Sequence, residues 1–265
     1  MNNTLEEGGL AWIPFTLESM LRVQLPLPVD SLKLLVFDLD GTLIDSRQDL
    51  CNSVNATLAN FDLPELTDDV IAGFIGDGAA MLIRRALTVP GELPGGPAAL
   101  DEGLFQEAFG YFLRYYRAHK LDYTTVYPGV MESLEALKTL PDGSARQMAV
   151  LTNKPVGPAV AICEGLGLSP YFFRVYGGDS FETKKPDPLG LMTLMREAGV
   201  DQDETLMIGD SEVDIQAARN AGVWSLGCTF GLSPDTVEVA GPHVLVDHAG
   251  EWAIALGGSV RAESV

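Results

Sequence analysis

Five short runs of nearly unbroken apolar residues punctuate the chain: LKLLVFDL (32–39), QMAVLTN (147–153), TLMIGD (205–210), WSLGCTF (224–230) and HVLVD (243–247). None alternates apolar with polar positions. Each therefore predicts a strand buried on both faces, as in a parallel sheet covered by helices. Between most of these runs the period changes. Met131, Leu134, Leu137 and Leu140 recur every three residues, as do Ile215, Ala218 and Ala221. Both series predict helices, and Gly222 supplies a stop for the second. Strands alternating with helices predict an α/β fold, a doubly wound parallel sheet.

The alternation is interrupted once. From Arg47 to Asp122 only helical patterns occur. Leu104, Phe105, Ala108, Phe109, Phe112, Leu113 and Tyr116 form one apolar stripe of helical period, which reads as core packing. The segment TVPGELPGGP (88–97) breaks the helices. A helical unit over 47–122 is thus expected within an α/β core of 32–46 and 123–265, which resumes near VYPGV (126–130). Residues 1–31 are expected to be an N-terminal extension, able to dock through Trp12, Ile13, Phe15 and Leu17. They lack the basic region and long apolar stretch of a signal peptide.

Composition narrows the function. A length of 265 residues with 46% hydrophobic content suffices for a sizeable core. No apolar run approaches the length of a membrane span. The formal net charge of −20 argues against nucleic acid and anionic membranes as partners. An anionic substrate would need a cation or a focused basic site to override that field. Cys51, Cys163 and Cys228 are few, odd in number and far apart. They read as small core fillers in a reducing cytoplasm, not as a disulfide framework or zinc site.

The chemistry gathers at the ends of the predicted strands, where ligands bind in open parallel sheets. The first strand ends in Asp38-Leu39-Asp40-Gly41-Thr42, the next in Thr152-Asn153-Lys154, and the run at 205–210 in Gly209-Asp210-Ser211, with Asp214 one helical turn on. Lys185-Pro186-Asp187-Pro188 lies in a loop between the latter two. Asp38, Asp210 and Asp214 are hard oxygen donors of the kind that suit Mg²⁺. Thr152 and Asn153 add hydrogen-bond donors, and Lys185 a point positive charge. Each piece alone reads as a turn, a cap or an exposed loop: Ser211, for instance, could simply cap a helix. Together they fit a tetrahedral phosphoryl group.

The motifs DLDGT, LTNK, KKPDP and GDSEVD, in that order, resemble those of the haloacid dehalogenase-like hydrolases, over about residues 32 to 247. GFIGDGAAMLIRRAL (73–87) and YPGV extend the resemblance to the phosphoglycolate phosphatase group. The resemblance implies a Rossmann-like core with the first strand central and an inserted helical cap. It implies Asp38 as nucleophile and Asp40 as general acid and base, with Asp40 also binding metal through its backbone carbonyl. Asp210 would be a direct metal ligand, and Asp214 a ligand through water or a neighbour of the ligands. Thr152, Asn153 and Lys185 would hold phosphate oxygens beside Gly41 and Thr42. Lys185 rather than Lys184 is expected to point inward. Gly76, Asp77 and Gly78 would form the cap loop entering the site. An Asp77 carboxylate suits that place only if it points away or accepts from a hydroxyl. Arg84 and Arg85 are weaker candidates for a substrate carboxylate.

Asp40 separates the possibilities. Dehalogenases of this family have no leaving alcohol to protonate and lack an acid there. No lysine occurs between Arg47 and His119, against a phosphonate hydrolase with a cap lysine, and Leu50 stands where related mutases carry a histidine. The expectation is a Mg²⁺-dependent cytoplasmic phosphatase of small phosphorylated metabolites, 2-phosphoglycolate foremost, acting as monomer or homodimer. The alternatives are a pyrophosphatase, a broad sugar or nucleotide phosphatase, and, further off, a mutase or a non-catalytic binding protein.

Overall fold

A computed structural model of the protein describes residues 22–89 and 100–257. The docking residues Trp12, Ile13, Phe15 and Leu17 lie outside these, as does most of the 88–97 break. The main sheet contains strands β1 (Arg22–Val23), β2 (Leu34–Phe37), β5 (Gln147–Leu151), β6 (Arg174–Tyr176), β7 (Thr205–Gly209), β8 (Trp224–Cys228) and β9 (Val244–Val246). Strands β3 (Ile44–Asp45) and β4 (Thr125–Val126) pair separately as a short antiparallel ladder. The main sheet runs β1-β9-β8-β7-β2-β5-β6, all parallel except β1, which lies antiparallel on β9. The end of the predicted N-terminal extension therefore joins the sheet edge.

Strand β2 is flanked by β5 and β7 and buried at every position. Leu35 and Phe37 join one apolar cluster, Leu34 and Val36 another. Side chains alternate between faces along a strand, and here both faces are covered, hence the unbroken apolar run. Helices α5 (Val130–Leu137), α6 (Val156–Gly165) and α10 (Glu251–Ala255) pack on the first face through Leu134, Ile162 and Trp252. Helices α7 (Leu189–Ala198) and α8 (Glu212–Ala221) pack on the second through Leu191, Leu194 and Ala218. Gly222 ends α8 in the left-handed region at φ 71°. Helix α5 stops at Leu137, and Leu140 reaches the interior from the turn beyond it. Helix α9 (Pro234–Ala240) connects β8 to β9.

Helices α1 (Arg47–Asn60), α2 (Asp68–Ala72), α3 (Ala79–Thr88) and α4 (Glu102–His119) form the inserted cap. They cover the carboxyl ends of β2 and β5. The chain leaves and re-enters the core through the β3–β4 ladder. Beside it the buried carboxylate of Asp49 accepts from the N–H groups of Tyr123 (3.1 Å) and Thr124 (2.8 Å) and from the Thr124 hydroxyl (2.7 Å). One side chain thus ties the outgoing segment to the returning one. Among the described residues no helix is long and apolar enough to cross a membrane.

Candidate active site

Register places the chemistry. Phe37 lies opposite Val150 on one neighbour and Ile208 on the other. All three strands run the same way, so Asp38, Thr152 and Asp210 emerge along one edge. Carboxylate oxygens of Asp38, Asp210 and Asp214 lie within 4.8 Å of one another, all buried. Lys185, 5% exposed, lies between two of them, with Nζ 2.7 Å from Asp38 Oδ1 and 2.6 Å from Asp214 Oδ1. Lys184 turns the other way and donates to the backbone oxygen of Asp77. Of the two lysines, the one preceding Pro186 points inward.

Asp210 is held from three sides. Thr42 Oγ1 donates to its Oδ1 at 3.2 Å, and the Leu232 N–H to its Oδ2 at 2.8 Å. Gly41 gives it room: at φ 88°, a Cβ there would come 2.1 Å from Asp210 Oδ2. Thr42 has no exposed surface, so its hydroxyl orients Asp210 and does not face the cavity. Asp214 also accepts from the Ser211 hydroxyl at 2.7 Å, closing a capping box at the start of α8.

The cluster is short of positive charge. Three carboxylates face one ammonium, and each like-charged pair at this range repels by roughly 3 kcal/mol at an effective dielectric constant of about 20. Burial first, then Lys185 in opposition and Asp214 in reinforcement, leaves the Asp38 carboxyl raised to about 6. Burial and the neighbouring carboxylates push Asp210 well above the usual range. A hard divalent cation fits this all-oxygen donor set and offsets the repulsion.

Asp40 faces a different partner. Lys154 Nζ lies 2.8 and 2.9 Å from its two oxygens, and the Ser46 hydroxyl donates to Oδ1. Lys154 is 6% exposed. Burial is the largest single influence and opposes its charge, yet Asp40 and Tyr116 together outweigh it and the ammonium is raised overall. Above this pair lies a cavity of about 50 Å³, bounded by Asp38, Asp40, Thr152 and Lys154 below and by Ile75, Leu82 and Phe112 from the cap. Gly76 and Gly78 line it too. Asn153 lines it and donates its Nδ2 to the backbone oxygens of Gly76 and Lys185, both at 3.1 Å. Its Oδ1 is buried without a partner.

The comparisons with known proteins agree with this geometry. The family described as haloacid dehalogenase-like hydrolase matches residues 35–228. The chain belongs to that family. It is 38% identical to a phosphoglycolate phosphatase of Chromobacterium violaceum over 202 residues, 76% of this chain and 87% of that one. It is 37% identical to a phosphoglycolate phosphatase of Rhodospirillum rubrum over 225 residues, 83% of this chain and 90% of that one. The crystal structure of a predicted phosphoglycolate phosphatase from Haemophilus somnus superposes with a TM-score of 0.77 at 32% identity, covering 83% of this chain and 96% of that one.

The cap loop departs from expectation at one residue. The Asp77 carboxylate does not line the cavity but pairs with Arg85. The anion-rich site leaves nothing to stabilise it there, and Arg85 does so outside. Arg84 pairs with Glu102 and lies over the Phe105 ring. Neither arginine reaches the cavity. Sequence reasoning gave no role to Lys154, Ser46 or Tyr116. Lys154 carried a signal, a cation directly after a strand end that faces two aspartates. Tyr116 carried none, because its period matched a packed helix.

Proposed function

We propose that this phosphatase of the haloacid dehalogenase-like family hydrolyses small phosphomonoesters with Mg²⁺, through an aspartyl-phosphate on Asp38. The observation that carries the reading is the meeting of Asp38, Asp210, Asp214 and Lys185 at one strand edge, with Asp40 held apart by Lys154. Asp38 Oδ attacks phosphorus and the bond to the ester oxygen breaks. The leaving oxygen takes a proton from Asp40. Water then attacks the phosphoryl group, gives a proton to Asp40 and frees Asp38. Lys185 holds Asp38 in line and, with Thr152 and the Asn153 N–H, neutralises the phosphate oxygens. Asp38, Asp210 and the Asp40 carbonyl, with Asp214 behind them, would hold Mg²⁺, which would supply the charge that offsets the repulsion between nucleophile and phosphate.

The relatives named above make 2-phosphoglycolate the foremost substrate. We assign the cap to 47–122 and the core to 32–46 and 123–265. Three free buried cysteines and a net charge of −20 suit a cytoplasmic metabolite enzyme. A panel of phosphate esters and pyrophosphate, with Mg²⁺ and with EDTA, tests the reading. It expects EDTA-sensitive phosphate release with 2-phosphoglycolate at the head of the ranking. No EDTA-sensitive release from any ester would overturn it, and pyrophosphate at the head would favour the pyrophosphatase alternative.

A further inference from the structure

Two cavity side chains are given no contact with the substrate in the chemistry above: Lys154, which there only holds Asp40, and Tyr116. Among the described residues that line the cavity, Lys154 is the one cation. Two contacts to Asp40 account for two of its three N–H groups. The ammonium lies 4.8 Å from the centroid of the Tyr116 ring. Tyr116 is 3% exposed, its oxygen faces the Lys154 ammonium, and its own proton has no acceptor. Native structures rarely leave such a group unpaired. The surrounding side chains Leu50, Ile75, Leu82, Phe112 and Leu113 cannot pair with it. Lys154 can only donate to it, so an acceptor for the phenol proton has to come from what enters the cavity.

We propose that Lys154 and Tyr116 form a subsite for a carboxylate on the leaving group, so that the enzyme selects short phosphorylated acids over neutral esters. The proposal rests on the phosphomonoesterase reading and gives its substrate class a structural cause. A carboxylate accepts from both an ammonium and a phenol, and this site offers one of each. Lys154 touches Asp40, the group assigned to the ester oxygen. Carboxylate and ester oxygen are therefore expected close to each other, as in a short phosphorylated acid.

The test uses two unreactive ligands that differ only at this end, 3-phosphonopropanoate and propylphosphonate. Their binding in the presence of Mg²⁺ is measured by calorimetry on the wild-type protein and on Tyr116→Phe. The wild type is expected to bind the carboxylate ligand at least ~10-fold more tightly, and Tyr116→Phe to reduce that ratio by ~10-fold or more. Equal affinities in the wild type, the outcome for a subsite filled by water alone, would overturn the proposal. So would a ratio unchanged in Tyr116→Phe. Should that variant fail to fold, the wild-type ratio still decides. Mg²⁺-dependent phosphate release from the panel of esters, 2-phosphoglycolate and ethyl phosphate among them, checks the underlying reading separately. Selective binding without turnover would support the subsite and overturn that reading.

Discussion

The metal-free protein is expected to lose stability as pH rises through the range in which Asp38 ionises. Burial, partly opposed by Lys185, holds this carboxyl at about 6 against its ordinary 3.8. A carboxyl raised in this way keeps a proton in the folded chain that the unfolded chain has already released. Below about pH 4 both states are protonated and Asp38 has no effect. Between about pH 4 and 6 the folded state loses ground, and above about 6 the full loss is present. A gap of about 2 units corresponds to roughly 3 kcal/mol. Asp210, also raised, acts in the same direction. The assay is urea unfolding in EDTA from about pH 4.5 to about pH 8, for the wild type and Asp38→Asn. About 1 kcal/mol of the effect is already present by about pH 4.5, so the variant, which lacks this titration, should lose about 2 kcal/mol less over the range. Magnesium should restore stability to the wild type at neutral pH and displace protons on binding near pH 5. Parallel stability curves for the two proteins would refute the reasoning.

Three further outcomes follow from particular contacts. Gly41→Ala should weaken Mg²⁺ affinity by ~10-fold or more, read by calorimetry, because its Cβ would displace the Asp210 carboxylate. Asp40→Asn should slow turnover by about 10²–10⁴-fold in steady-state assays yet still bind Mg²⁺, since its side chain faces Lys154 and not the acidic cluster. Equal loss of metal affinity would contradict that division of labour. Asp49→Ala should cost about 2–4 kcal/mol in denaturant unfolding, because it leaves the Tyr123 and Thr124 donors without their acceptor at the cap junction.

The sequence made the central strands legible for a physical reason. Leu34 to Phe37 and Thr205 to Gly209 are buried on both faces, so nothing polar interrupts them. The edge strand Arg174–Tyr176 was not legible, being three residues long with Arg174 exposed. The two-residue β3 and β4 are too short to carry a period at all. In the site, Asp38, Asp210, Asp214 and Lys185 could be read as a set because the aspartates follow strand ends and Lys185 directly precedes a proline. The Lys154–Asp40 pair joins residues 114 apart, and no local pattern announces it. Tyr116 was hidden because packing and binding use the same helical face: Phe112 and Tyr116 stack with each other, and both line the cavity. Asp77 sat in a loop with the right glycines, but its charge found Arg85 eight residues along.

The central claim is phosphoryl transfer to Asp38, and rapid acid quench during turnover of 2-phosphoglycolate with Mg²⁺ tests it most directly. Peptide mass spectrometry of the quenched enzyme is expected to find a phosphoryl adduct on Asp38, absent from Asp38→Asn and from samples without Mg²⁺. A turning-over enzyme with no adduct, or with the adduct on another residue, would contradict the account.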